Sequence, residues 1–270
     1  MLDGANRSVT LGDTAGVPEA APLPEVGEVL PSDLIAALKA GLSDFREAPL
    51  FGLFFSAFYV LAGFALVWLG AGTMAWVLTV SLGFPLVGPF AAVGLYEVSR
   101  RIEAREPLRW RAVLGVVAAE RGRQIPWIGA SVTFAFLFWT FLAHMIFALI
   151  MGITALRTGT IDLAAFLTPS GIALVGVELL VGGIVAFLIF GLTVISLPLC
   201  LDREVDFVSA MMLSLRVVRR NRVVMAIWAG IVAVSLVLGM LPAFLGLMVV
   251  LPVLGHASWH LYRRALYLPV

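Results

Sequence analysis

The sequence predicts an all-α membrane protein with six transmembrane helices and amphipathic helices on the cytoplasmic side. Composition points there first. Apolar residues make up 61% of the 270-residue chain, charged residues 13%, and mean hydropathy is +1.03. A soluble domain is about half apolar and about a quarter charged, so the polar side chains here are too few to cover a globule and lipid must solvate most of the surface. Six apolar runs then supply the spans, since about 20 mostly apolar residues cross a bilayer. The positions of Lys and Arg supply the orientation.

The chain opens on residues 1–30, rich in Ala, Pro and Gly, with Asp3, Asp13, Glu19, Glu25 and Glu28 against Arg7. This composition predicts a disordered acidic tail. It lacks the basic and apolar halves of a signal peptide. Residues 31–264 form the expected membrane domain and 265–270 a short cytoplasmic tail. The spans fall near 49–70, 73–95, 125–150, 171–200, 223–240 and 242–261. All Lys and Arg residues except Arg157 lie in the N-terminal segment, the 96–124 loop, the 201–222 loop and the C-terminal end. Cytoplasmic loops carry the excess of Lys and Arg, so both termini are expected in the cytoplasm of a bacterial inner membrane. Trp68, Trp76, Trp127 and Trp259 sit near span ends, as interfacial aromatic anchors do.

Each odd span follows an amphipathic segment. In "PSDLIAALKAGLSDF", Ser32 is the expected N-cap and Leu34, Leu38, Leu42 and Phe45 share a face. In "EPLRWRAVLGVVAAERGR", Pro107 suits the first helical turn and Trp110, Val113, Leu114 and Val117 share a face. In "VDFVSAMMLSLRVVRR", Phe207, Ala210, Met211, Ser214, Leu215 and Val218 align, with the arginines mostly opposite. Such stripes with basic flanks suit helices lying in the interface of an anionic leaflet. Arg46 to Gly52 and Arg123 to Gly129 both read R-x-x-P-x-x-G, and Arg222 to Trp228 is a degenerate third copy. Each even span carries proline near its cytoplasmic end: Pro85 with Pro89, Pro198, and Pro252. Three repeated hairpins, each an interfacial helix, a span out and a span back, account for this pattern. So does the recurrence of Arg, Pro and Gly at membrane boundaries for local reasons. Repetition would imply a pseudo-threefold axis along the membrane normal.

The three histidines are His144, His256 and His260. His256 and His260 lie one turn apart on one helix face. They cannot bracket a haem, and zinc would need a further ligand. His144 stands roughly 25 Å from the cytoplasmic Trp127, too far to join them. Tyr262, Arg263, Asp202 and Glu97 are nearer partners, and a polar helix end bonded to cytoplasmic loops or headgroups is the ordinary reading. Cys200 is the lone cysteine, which excludes an intrachain disulfide and cysteine-cluster metal sites. No metal or cofactor is expected. A net charge of +1 leaves no bulk electrostatic case for nucleic acid.

His144 and Glu178 both interrupt apolar runs at matching depths, where ionisable groups are costly and often functional. A hydrogen bond or ion pair between them is expected, serving either as a proton relay or as a structural polar contact between helices. There is no phosphate-binding glycine loop, no H-E-x-x-H and no Ser/His/Asp constellation in the sequence, so no enzyme motif is present.

Four segments carry a resemblance: "AALKAGLSDFREAPLFGLFFSAFYVLAG", "GFPLVGPFAAVGLYEVSRRIE", "ISLPLCLDREVDFVSAMMLSLRVVRRN" and "LGLMVVLPVLGHASWHLYRR". Over about residues 34–264 the chain resembles a bacterial family of predicted integral membrane proteins of unknown function, some members of which carry a cytochrome c oxidase subunit label. The resemblance implies a cytoplasmic-face site on Tyr96, Glu97, Ser99, Arg100, Pro198, Asp202, Arg203, His256, Trp259, His260 and Tyr262, which would lock hairpins to interfacial helices. Three histidines cannot furnish the haem and copper ligands of a catalytic oxidase subunit. The leading expectation is a non-enzymatic accessory or scaffold component of a membrane complex, respiratory or other, in contact with the lipid bilayer. The alternative is a small-solute or ion transporter that uses His144 and Glu178.

Overall fold

A computed structural model describes residues 24–68, 74–153 and 163–267, without the side chains of 66–87 and 163. Arg157, the side chains of Trp68 and Trp76, the tail positions Asp3, Arg7, Asp13 and Glu19, and residues 268–270 lie outside the described residues. The described residues are all-α apart from one two-stranded ribbon. The helices are α1 (Pro31–Glu47), α2 (Pro49–Trp68), α3 (Met74–Glu103), α4 (Trp110–Ala119), α5 (Ile125–Met151), α6 (Pro169–Thr193), α7 (Ser196–Asp202), α8 (Phe207–Arg220), α9 (Arg222–Met240) and α10 (Leu247–Ala265).

Apolarity and length make α5, the α6–α7 segment Pro169–Asp202, and α9 able to cross a membrane, and a fourth span is available if the α1–α2 pair is one bent span. The helices α3 and α10 cover the second and sixth expected spans; α10 falls short of that apolarity, whereas residues 74–91 of α3 are apolar and uncharged. Their C-terminal halves carry Glu97, Ser99, Arg100 and Arg101, and His256, His260, Arg263 and Arg264. Several of these groups are buried against other helices, so protein replaces lipid around them.

Helix α1 ends where Pro49 follows Ala48. Proline disfavours helical backbone at the residue before it, and Ala48 adopts φ −129° and ψ 54°. The chain bends there by 101°. The helix starts at Pro31, with the Leu30 N–H donating to Asp33 Oδ2 at 2.8 Å. Ser32 is therefore inside the helix and does not cap it. The buried face of α1 is Leu34, Ala37, Gly41 and Asp44, rotated from the expected Leu34–Leu38–Leu42–Phe45 stripe. The cause is its partner: α1 lies along α10, and a Cβ on Gly41 would sit 2.5 Å from the Ala257 backbone nitrogen. Small residues face the contact and the larger apolar ones flank it.

Pro107 likewise precedes its helix, because α4 begins at Trp110 with Arg109 as N-cap. Trp110 stacks on Phe51 at 4.0 Å between ring centroids. In α8 the expected stripe holds for Ala210, Met211, Ser214 and Val218, with Leu213 and Val217 added. Asp206 caps α8 by accepting the Ser209 N–H at 2.9 Å.

Helices α1 and α2 contact α10, α4 and α5 contact α3, α8 contacts α6, α5 also packs on α6, and α9 packs chiefly on α10. Strands β1 (Glu25–Val26) and β2 (Leu266–Tyr267) pair antiparallel, and the Gly27 N–H donates to the Ala265 carbonyl at 2.9 Å. Residues 24–30, expected in a disordered tail, are thus held: Val29 is buried, and its N–H donates to Asn221 Oδ1 at 2.9 Å. A backbone ladder and an asparagine side chain far along the sequence supply what composition alone could not reveal.

Candidate functional site: a buried polar cluster joining α1, α3 and α10

Close helix approach builds this site. Gly41 admits α10 against α1, and Gly255 admits α3 against α10, where a Cβ would meet Leu95 Cδ1 at 2.6 Å. The three backbones then leave room for short polar contacts only. Ser99 Oγ lies 2.7 Å from Asp44 Oδ2 and 2.8 Å from His256 Nδ1. His260 Nε2 lies 2.8 Å from the same Asp44 oxygen. Ser99 and His256 are fully buried and Asp44 nearly so.

Proton counting orders the cluster. Ser99 has one hydroxyl proton. When it donates to the Asp44 carboxylate, its oxygen must accept from His256, which places the His256 proton on Nδ1. His256 Nε2 then carries a lone pair, and it has no partner although buried. No Arg or Lys pairs with Asp44 among the described residues, and its close side-chain partners are Ser99 and His260. A buried charge without compensation is costly, and the Ser99 and His260 contacts offset that cost.

A second network caps α3. The buried Glu97 carboxylate accepts from Arg100 Nε at 2.8 Å and from Arg101 Nε at 2.6 Å. Arg100 also reaches Glu106 at 3.1 Å. The hydrogen bond to Glu97 raises the Arg100 guanidinium further above its ordinary value, and Arg100 holds the Glu106 carboxyl below the usual range. A third network ties α10 to α3 and α7. Trp259 Nε1 donates to Glu103 at 3.0 Å, and the Tyr262 hydroxyl donates to Asp202 Oδ2 at 2.7 Å. Arg263 bridges Glu103 and Asp202 at 3.3 and 3.5 Å. Burial, then the Asp202 carboxylate, pushes the Tyr262 phenol well above its ordinary value. Arg203 is exposed, 3.9 Å from Asp202. Tyr96 is buried in the main apolar core, which also holds Trp259 and Tyr262.

The candidates expected at the ends of the even spans therefore gather in one region, but their pairings differ from expectation. His256 and His260 bind Ser99 and Asp44, whereas Tyr262, Asp202 and Glu97 serve other networks. Sequence reasoning does not single out Asp44, although a signal for it exists. Gly41 and Asp44 continue the 34/37 spacing on α1, which puts the carboxylate on the small-residue face that packs closest.

The intramembrane candidates stand elsewhere. His144 on α5 and Glu178 on α6 are half-buried on neighbouring packed helices. His144 Nδ1 lies 2.7 Å from the Thr140 carbonyl. No hydrogen bond or ion pair joins His144 to Glu178 among the described residues, so the expected direct contact is not formed.

No curated protein and no solved structure matches the chain. A family model does, and its segment includes the α3 half of the polar cluster together with α4 to α7. Over residues 76–202 the chain matches the family described as predicted integral membrane protein (DUF2189), a family of unknown function.

Proposed function

We propose that the protein is a six-span bacterial inner-membrane component with both termini cytoplasmic, acting as a non-enzymatic accessory or scaffold in a membrane complex. The observation that carries this reading is the asymmetry of the bundle. The α1/α3/α10 end is locked by buried polar contacts, whereas only 6% of the residues in the apolar stretch of α5 are buried within the chain. Phe134, Phe141 and Leu149 on α5 and Leu179 and Leu180 on α6 are each at least 67% exposed. That flank is free to meet lipid or another membrane protein. The packing of the interfacial helices supports three repeated hairpins, because α1, α4 and α8 each lean on the returning span of another unit: α10, α3 and α6. The pairing of β1 with β2 brings residues 25–26 and 266–267 together, which supports a common side for the two termini, in accord with the Arg and Lys distribution. Purification from native membranes in mild detergent, with mass spectrometry of co-purifying proteins, tests the reading. Stoichiometric recovery of a membrane complex supports it, and recovery of the protein alone counts against it.

A second reading, a small-solute or ion transporter, is favoured by the placement of His144 and Glu178 on adjacent apolar helices. Unchanged stability and unchanged ion or solute flux in both His144→Ala and Glu178→Gln variants would remove that support.

A further inference from the structure

The corner where α8 passes into α9 forms a shallow, largely open cavity of about 590 Å³ between the β1–α1 connection and the helix junction. Arg219, Arg220 and Arg222 line it, with Glu28, Asn221 and Val223. We propose that this cavity binds a phosphate group, held by the guanidinium groups of Arg219, Arg220 and Arg222. The proposal does not rest on the scaffold reading above.

Charge balance carries the argument. On this face Arg100 and Arg101 are matched by Glu97 and Glu106, Arg123 by Glu120 and Glu204, and Arg263 by Glu103 and Asp202. By contrast, Arg219, Arg220 and Arg222 line one cavity together and have no carboxylate within ion-pair distance among the described residues. Arg222 Nε donates to the Arg219 carbonyl at 3.0 Å, which holds the Arg222 side chain over the α8 end, beside the other two arginines that line the cavity. Glu28 lines the same cavity and opposes an anion in part, but three guanidinium groups outnumber it. Guanidinium forks match the paired oxygens of phosphate.

Asn221 keeps the cavity in shape. Its side chain is used up on Val29 N–H and on the Gly27 and Val217 carbonyls, so it does not cap α9. The arginines flank the first residues of α9, an apolar helix long enough to cross a membrane. Val223, next along α9, is 73% exposed. Guanidinium groups at the start of an apolar span stand at the depth of lipid phosphates. The same chemistry would hold a free phosphate or a soluble phosphate ester.

The test is titration of the full chain, purified in a neutral detergent, with two probes: short-chain phosphatidylglycerol and inorganic phosphate. Binding is read by native mass spectrometry and by thermal shift. Saturable binding of either probe is expected, weakening as salt rises. Binding of phosphatidylglycerol alone assigns a lipid headgroup, and equal protection by inorganic phosphate assigns a soluble source. The R219Q/R220Q/R222Q variant should bind at least tenfold more weakly, and the variant with lysine at all three positions should retain part of the affinity. Should the glutamine variant fail to fold, Glu28→Gln decides: removal of the opposing carboxylate should tighten binding at least twofold. No saturable binding to the wild type, equal affinity in the glutamine variant, or no change in Glu28→Gln overturns the proposal.

Discussion

The α1/α3/α10 end and the α5/α6 flank are both helical, but opposite physics organises them. At the first, glycines bring backbones together and bury Asp44, Ser99 and His256 in one hydrogen-bonded cluster. At the second, long apolar side chains point outward. The two ionisable residues there, His144 and Glu178, share no hydrogen bond, and His144 turns instead to a carbonyl of its own helix. Polar groups removed from water must find specific partners, which fixes relative helix positions. Apolar groups facing lipid need none, since lipid tails are as apolar as leucine. The polar end is therefore the rigid reference of the molecule, and the flank is the surface on which sequence can vary at little cost in fold.

The sharpest way to break that contrast is Asp44→Ala. It strips His260 and Ser99 of a shared buried partner and should cost about 3–6 kcal/mol, from two hydrogen bonds to a carboxylate at about 1.5–3 kcal/mol each. Thermal unfolding in detergent reads this as a large loss, and a near-neutral result would show that the cluster does not hold the end together. Gly41→Ala comes next. Its methyl group would meet the α10 backbone at 2.5 Å, so the helices must part, at about 1–3 kcal/mol for overpacking. Tyr262→Phe removes one hydrogen bond to a carboxylate that keeps Arg263, and should cost about 1–2 kcal/mol in the same assay. On the flank, Phe138→Ala at a position 57% exposed should change stability by no more than about 0.5 kcal/mol. A loss comparable to that of Tyr262→Phe would erase the distinction.

Glu120 sharpens the comparison from a third place and gives the smallest effect. It is buried, its Oε2 has no partner, and burial raises its carboxyl above the usual range, with Arg123 opposing. A carboxyl raised in the folded state binds its proton more tightly there than in the unfolded chain. Its contribution to stability is therefore greatest at low pH and falls as pH rises from the ordinary glutamate value through the raised one. Glu120→Gln should remove that part of the pH slope in unfolding curves recorded between acid and neutral pH. An unchanged slope would show that the site is already ionised without penalty.

Much of this architecture is legible in the amino-acid sequence. Helix positions, the buried stripe of α8, and the gathering of Glu97, Asp202, His256, His260 and Tyr262 at the ends of even spans follow from periodicity and from where apolar runs stop. These are properties of neighbouring residues, and a helix expresses them wherever it packs. The pairings are not legible there. Ser99 meets Asp44 and His256 across 55 and 157 positions, and nothing in either local pattern names the other.

The sequence by itself determined an all-α chain with apolar spans, the sites where most helices begin and end to within a few residues, and which ionisable residues gather where the apolar runs stop. Tertiary structure alone decided which face of α1 is buried, that Asp44 takes both Ser99 and His260, that His144 and Glu178 share no hydrogen bond, and that residues 24–30 are pinned by Asn221 and the β2 strand. The division has one physical reason. Hydropathy and backbone preference act within a few residues of chain, whereas hydrogen bonds between buried groups depend on distances that exist only after helices remote in sequence have packed.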